Sequence, residues 1–344
     1  MGDIDGDGAS DLVFSSGCLE EAYFLYGPIE GLVDIKDGDL AYSDYHMYVW
    51  NELLTNVGDF DGNGMEDMML SVGWQLSVFN SPAVLPLDRE HADATINVPE
   101  CEAGFVLLQR ADINGDGYSD LGVARRPDGT DHVELAILNG PLAGTIELQD
   151  RADAIVSTRE DVGWYERQGD FQAGGDLFGD GQETLVTNNG SEEVTGDQTL
   201  YVYSGPFSGS MTLLEPDATI TSTGGDSGDF QIASGMDANA DGVGDLLFNY
   251  VYYAGPGRLV GSPAAYLFLG PLCEDMTYDD ADVRLEANNP YLVRNVSAAG
   301  DVSGDGVDDM ILSVETRTVG AEQVDYVIHG GADLMERMMA HDRP

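Results

Sequence analysis

The chain has 344 residues, with 63 acidic against 14 basic side chains and a formal net charge of −49. Phosphate backbones are held by basic surfaces, so this balance excludes nucleic acid as a partner, and no apolar run is long enough to span a bilayer as a helix. Forty-four glycines and thirteen prolines are spread without a low-complexity tract, and only Leu334 to Met339 has a helical pattern, so the expectation is an all-β chain.

The chain opens on an acidic loop, Asp3 to Asp11, followed by Leu12-Val13-Phe14 and then by Phe24-Leu25-Tyr26-Gly27-Pro28. The second repeat writes Asp59 to Asp67, Met68-Met69-Leu70, Val78-Phe79-Asn80-Ser81-Pro82 and Asp93-Ala94-Thr95-Ile96. The third has Asp112 to Asp120, Leu121-Gly122-Val123, Ile137-Leu138-Asn139-Gly140-Pro141 and Asp153-Ala154-Ile155. In the fourth come Asp176 to Thr184, Leu185-Val186, Tyr203-Ser204-Gly205-Pro206 and Asp217-Ala218-Thr219-Ile220. The fifth shows Asp237 to Asp245, Leu246-Leu247-Phe248 and Leu267-Phe268-Leu269-Gly270-Pro271, and the sixth Asp301 to Asp309, Met310-Ile311-Leu312 and Ile328-His329-Gly330-Gly331. Six units at similar spacing define a repeat architecture, with units at about 1–57, 58–110, 111–174, 175–235, 236–299 and 300–344 of a single domain.

Within each loop, oxygen-bearing side chains recur at positions 1, 3, 5 and 9, with glycine at 6 and a backbone carbonyl available at 7. Calcium takes six to eight oxygens at about 2.3–2.6 Å, and alternate residues of a tight loop can supply them. The candidate ligands are Asp3, Asp5, Asp7, Ala9 and Asp11; Asp59, Asp61, Asn63, Met65 and Asp67; Asp112, Asn114, Asp116, Tyr118 and Asp120. Later in the chain they are Asp176 and Asp180; Asp237, Asn239, Asp241, Val243 and Asp245; Asp301, Ser303, Asp305, Val307 and Asp309. Position 7 enters through its carbonyl, which leaves its side chain free to vary. A single run of Asp, Asn and Gly is also what an ordinary turn uses; the recurrence of oxygens at four fixed positions favours a cation. The fourth copy departs, with Phe178 at position 3 and Thr184 at position 9, leaving Asp176, Asp180 and Glu183 for a different geometry. An EF-hand needs glutamate at position 12 and flanking helices; here short apolar runs of strand type follow, so each loop joins two strands.

In these landmarks the chain resembles the FG-GAP repeats of integrin α-subunit β-propellers and their bacterial relatives, over nearly its whole length. The resemblance implies four-stranded blades with the acidic loop between strands A and B, about five well-formed calcium sites of structural kind, and an adhesion or protein-interaction role. It implies that the first blade lacks strand A. It also leaves open whether the ring closes on six blades or belongs to a longer chain with a seventh.

Extracellular modules bind calcium at about 10⁻⁴–10⁻³ M, so a secreted or cell-surface location is expected, although this sequence shows no signal peptide. Cys18, Cys101 and Cys273 have no metal-ligand spacing. His46, His91, His132, His329 and His341 are scattered among the repeats outside any catalytic motif, and the expectation is a protein without catalytic residues or organic cofactor. Propeller strand order puts the partner-binding face opposite the acidic loops, where Trp164, Tyr165, Tyr252, Tyr253 and Arg258 are the candidate contacts. The expected partner is an extracellular protein, with a carbohydrate-binding propeller as the alternative and a calcium-assisted polysaccharide-degrading enzyme behind both.

Overall fold

The computed structural model describes residues 2–16, 21–43, 53–99, 111–125, 134–157, 171–188, 199–222, 229–253, 259–261, 264–286, 291–316 and 323–331. They form six sheets in sequence order, blades of propeller type, and the only helical pieces among them are single turns. The all-β fold class read from the sequence is thus observed. The expected helical tail and Cys18 and Cys101 lie outside the described residues; Cys273 is free and exposed.

Contacts group the chain into two compact units. One comprises Met1–Thr158, Pro206–Thr212 and Ala299–Gly306, the other Arg159–Gly205, Leu213–Ala298 and Val307–Pro344. In the first unit, the second blade has strands A to D at Leu53–Gly58, Asp67–Val72, Gln75–Phe79 and Ala94–Asn97, all antiparallel. The first blade consists of Leu12–Ser16, Glu21–Leu25 and Asp39–Ser43. In the third, Leu121–Arg125, Glu134–Leu138 and Ala154–Ser157 pair in one sheet, and Ala111 bridges Asp120. In the second unit, the fourth blade runs Gln172–Ala173, Thr184–Asn188, Thr199–Ser204 and Ala218–Thr221. The fifth follows with Asp229–Met236, Asp245–Tyr253, Ala264–Phe268 and Val283–Glu286. The sixth sheet has Tyr291–Gly300, Asp309–Thr316 and Gln323–Ile328.

Alternate residues of a strand face opposite sides of its sheet, and a strand covered on both faces reads as a continuous apolar run. This accounts for Met68-Met69-Leu70: Met68 and Leu70 pack with Ala22 and Phe24 of the first blade, whereas Met69 packs with Leu121 and Val123 of the third. The second unit repeats the device. Leu246 and Phe248 join Val186 and Val202, and Leu247 joins Met310 and Leu312.

The third landmark starts the outer strand. Asp93 donates its N–H to Val78 O (2.9 Å) and accepts the Asn80 N–H (2.9 Å) on its carboxylate. Asp153 and Asp217 make the same pair of bonds, with Asn139 and Ser204 as donors. Asp282 takes the Leu269 N–H, placing the same device in the fifth repeat. The chain that leads to the outer strand also adds an edge to the preceding blade. Gly144–Glu147 pairs in parallel with Ala94–Asn97, Gly209–Thr212 with Ala154–Ser157, and Asp275–Thr277 with Thr219–Thr221. Short helical turns close these connections, such as Ile35–Asp37, capped by the Asp34 carboxylate on Lys36 N–H at 3.0 Å.

Candidate metal-binding loops

Each acidic loop is shaped by its own carboxylates. Asp3 Oδ1 accepts the N–H groups of Gly6 (2.6 Å) and Asp7 (3.1 Å), and Oδ2 that of Gly8 (2.8 Å). Asp59, Asp112 and Asp301 accept from the same three positions, and Asp176 and Asp237 from positions 5 and 6. Position 5 in turn accepts the N–H of position 7: Asp7 from Ala9 (2.8 Å), Asn63 from Met65 (2.8 Å), Asp116 from Tyr118 (3.0 Å), Asp241 from Val243 (2.9 Å). Converging N–H groups wrap the chain around the first aspartate, and that curl needs left-handed backbone at two places. Glycine supplies it at both 4 and 6 in most copies, for example Gly6 at φ +83° and Gly8 at +96°. In the fifth loop Ala240 holds position 4 at φ +61°, the one non-glycine residue with positive φ among the described residues.

Position 9 has a second task. Asp11, Asp67, Asp120, Asp245 and Asp309 are fully buried. One oxygen of each accepts the N–H of the residue that opens the Gly-Pro landmark: Gly27 (2.9 Å), Ser81 (2.7 Å), Gly140 (3.0 Å), Gly270 (2.9 Å) and Gly330 (2.9 Å). In Asp11, Asp67 and Asp245 the other oxygen takes a loop N–H, from Ile4, Phe60 and Ala238 at 2.8 Å. Burial raises the carboxyls of Asp11, Asp67 and Asp120 to about 6 and that of Asp245 to about 7, against the lowering effect of the N–H bonds. The fourth loop lacks this carboxylate. There Thr184 Oγ1 donates to Gly175 O (2.7 Å), and Gly205 N–H turns to Glu183 O (2.9 Å) instead.

In four repeats the two landmarks meet so closely that the second has room only for glycine. A Cβ on Gly27, Gly140, Gly270 or Gly330 would lie 2.2–2.6 Å from the carbonyl oxygen at loop position 8. The second repeat has Ser81 here, and its hydroxyl donates to that carbonyl, Glu66 O, at 2.6 Å.

Neighbouring loops within a unit are joined. The position 8 N–H of one donates to the position 1 carbonyl of another: Glu66 to Asp3 (2.9 Å), Ser119 to Asp59 (2.9 Å), Ser10 to Asp301 (2.7 Å), Gly244 to Asp176 (2.8 Å). Position 7 side chains cover the position 4 glycines, with Met65 over Gly6, Tyr118 over Gly62 and Val243 over Gly179. The side chain at position 7 is therefore tied to packing and does not vary freely.

As candidate ligands, the first two loops are the most complete. Carboxylate oxygens of Asp3, Asp5 and Asp11 lie within 4.8 Å of one another, as do those of Asp59, Asp61 and Asp67. Oxygens held at about 2.3–2.6 Å from one cation are separated by no more than about 5 Å, so these sets fit calcium, and their all-oxygen chemistry suits a hard ion. Elsewhere position 3 is weaker. Asn114 Nδ2 faces Asp120 (3.4 Å), Asn239 Nδ2 faces Asp241 (2.9 Å), and Ser303 Oγ faces Asp301 (3.3 Å). In the fourth loop Phe178 packs on the apolar core, and Glu183 accepts Gly175 N–H at 2.6 Å. Of the partner candidates, Tyr252 and Tyr253 end the strand Asp245–Tyr253, opposite Val260 and Leu259 and at the far end from the acidic loop. Trp164, Tyr165 and Arg258 lie outside the described residues.

No known family profile matches the sequence, and no curated protein matches it. Among solved structures, the chain is similar to BBS1N in crystals of its complex with ARL6DN. For the mercury-soaked crystal the TM-score is 0.40 at 11% identity, covering 91% of this chain and 76% of that one. The lead-soaked crystal gives 0.37 at 10% identity, covering 94% and 76%.

Proposed function

We propose that the chain is an extracellular calcium-binding blade-repeat protein of the FG-GAP, integrin α-like kind, acting as an adhesion or protein-interaction module. The observation that carries this reading is the recurrence of the acidic loop, in whose first two copies the carboxylates of positions 1, 3 and 9 converge within 4.8 Å. Asp3, Asp5, Asp7, Asp11 and the Ala9 carbonyl would hold one ion, and the matching positions of the other well-formed loops the rest. Calcium would supply positive charge between carboxylates that otherwise repel. The loops are bonded to the Gly-Pro landmarks and to one another, which supports a structural role for the ion.

Recognition then belongs to the opposite strand ends, where Tyr252 and Tyr253 lie. The test is a screen of the calcium-loaded protein against extracellular proteins and glycans. A hit weakened about tenfold by Tyr253→Ala, with calcium content and melting temperature unchanged, supports the reading. A hit insensitive to Tyr253→Ala and Trp164→Ala, but lost in a folded single-loop variant, moves recognition to the acidic loops and overturns it.

A further inference from the structure

The first blade carries a cavity of about 580 Å³ beside its outer strand. Tyr26, Ile29 and Val33 line it together with the carboxylate residues Glu30, Asp37 and Asp39. All three acids are exposed, whereas Tyr26 and Ile29 are half-buried. Phe24, also in the lining, stacks with the Tyr26 ring at 6.5 Å between centroids. Leu32, adjacent in sequence to the lining residue Val33, is completely exposed.

A lining that joins aromatic and aliphatic side chains to three carboxylates suits a ligand with an aliphatic stem and a cationic head. A small hydrated metal ion has no use for the apolar lining, and a neutral sugar, whose hydroxyls can donate to the carboxylates, leaves their charge uncompensated. A guanidinium can lie on an aromatic face while its N–H groups engage carboxylates in pairs, which an ammonium does less well. We propose that this pocket binds an arginine side chain presented by a protein partner. The inference rests on the interaction-module reading and names the chemistry of one partner contact.

The test uses the full chain in calcium buffer and two labelled peptides, one with an arginine between leucines and one with citrulline in its place, followed by fluorescence anisotropy. The arginine peptide should bind, and citrulline should bind at least about tenfold more weakly. Glu30→Gln combined with Asp39→Asn should weaken the arginine peptide by a similar factor at unchanged melting temperature. Asp150→Asn combined with Glu215→Gln removes the same charge from exposed sites elsewhere and should leave binding within about twofold. Val33→Arg, which places a cation at the cavity wall, should compete with the peptide and checks the result if the first pair disturbs folding. Equal loss in both double variants, equal affinity for citrulline, or no binding at millimolar peptide would overturn the proposal. A chain that binds a partner protein through Tyr253 yet ignores the arginine peptide overturns this inference and leaves the module reading standing. Citrulline-sensitive binding by a chain that takes up no calcium supports the pocket and counts against the calcium reading.

Discussion

At Gly270 a methyl group would come within 2.4 Å of Gly244 O and 2.5 Å of Val243 Cγ1. Neither can retreat, because Gly244 N–H is bonded to Asp176 O and Val243 lies on Gly179. Gly270→Ala should therefore cost about 1–3 kcal/mol, read as a lower urea midpoint. Ser81→Ala keeps the Cβ already accommodated and loses only the bond to Glu66 O, so about 1 kcal/mol is expected. A larger loss for Ser81→Ala than for Gly270→Ala would contradict the close-approach account. The opposite sign is expected at Ala240, whose left-handed backbone opposes its Cβ. Ala240→Gly should stabilise by about 1 kcal/mol, and a lowered midpoint would show that the side chain has an unseen packing role.

At the scale of the loop and its strands, much was readable from the sequence. The repeat, the loop's place between strands and the strand type of Met68-Met69-Leu70 follow from spacing and residue class alone. The position 4 glycine was just as visible, in Gly6, Gly62, Gly115, Gly179 and Gly304, but a search for ligands passes over a residue without oxygen in its side chain. The inward role of Asp11 or Asp245 could not be read, since one carboxylate serves equally as a cation ligand and as an acceptor for the Gly-Pro landmark. The added edge strand Gly144–Glu147 was hidden for another reason: its parallel partner, Ala94–Asn97, lies 50 residues earlier in the register Glu147 to Asn97. At this scale calcium stoichiometry separates good loops from the poor one. Asp116→Ala should lose one ion by equilibrium dialysis, and Asp180→Ala none, because Phe178 is given to the core and Thr184 has no carboxylate. Loss of one ion in both variants would mean that the fourth loop binds.

For the whole molecule, the net charge of −49 and the buried position 9 carboxyls act in the same direction without metal. Folding holds Asp11, Asp67, Asp120 and Asp245 at about 6–7, above the unfolded value near 4, so the folded chain binds the extra protons. Their contribution is complete below about pH 4 and is lost as pH rises through 6 to 7. In chelator the protein should thus melt at a lower temperature at pH 8 than at pH 5.5, and an unchanged or higher melting temperature at pH 8 would contradict the burial of these groups. A cation in each loop reverses that dependence by favouring the ionised form.

Calcium binding to the folded state alone adds about 2.7 kcal/mol per site at a hundredfold excess over Kd. The most direct measurement is therefore the melting temperature at pH 8 in excess chelator and in millimolar calcium, with bound calcium counted on the same sample. Structural calcium in the repeated loops predicts about five ions per chain and a melting temperature higher by ten degrees or more; the same curve in both buffers with no calcium retained would contradict it.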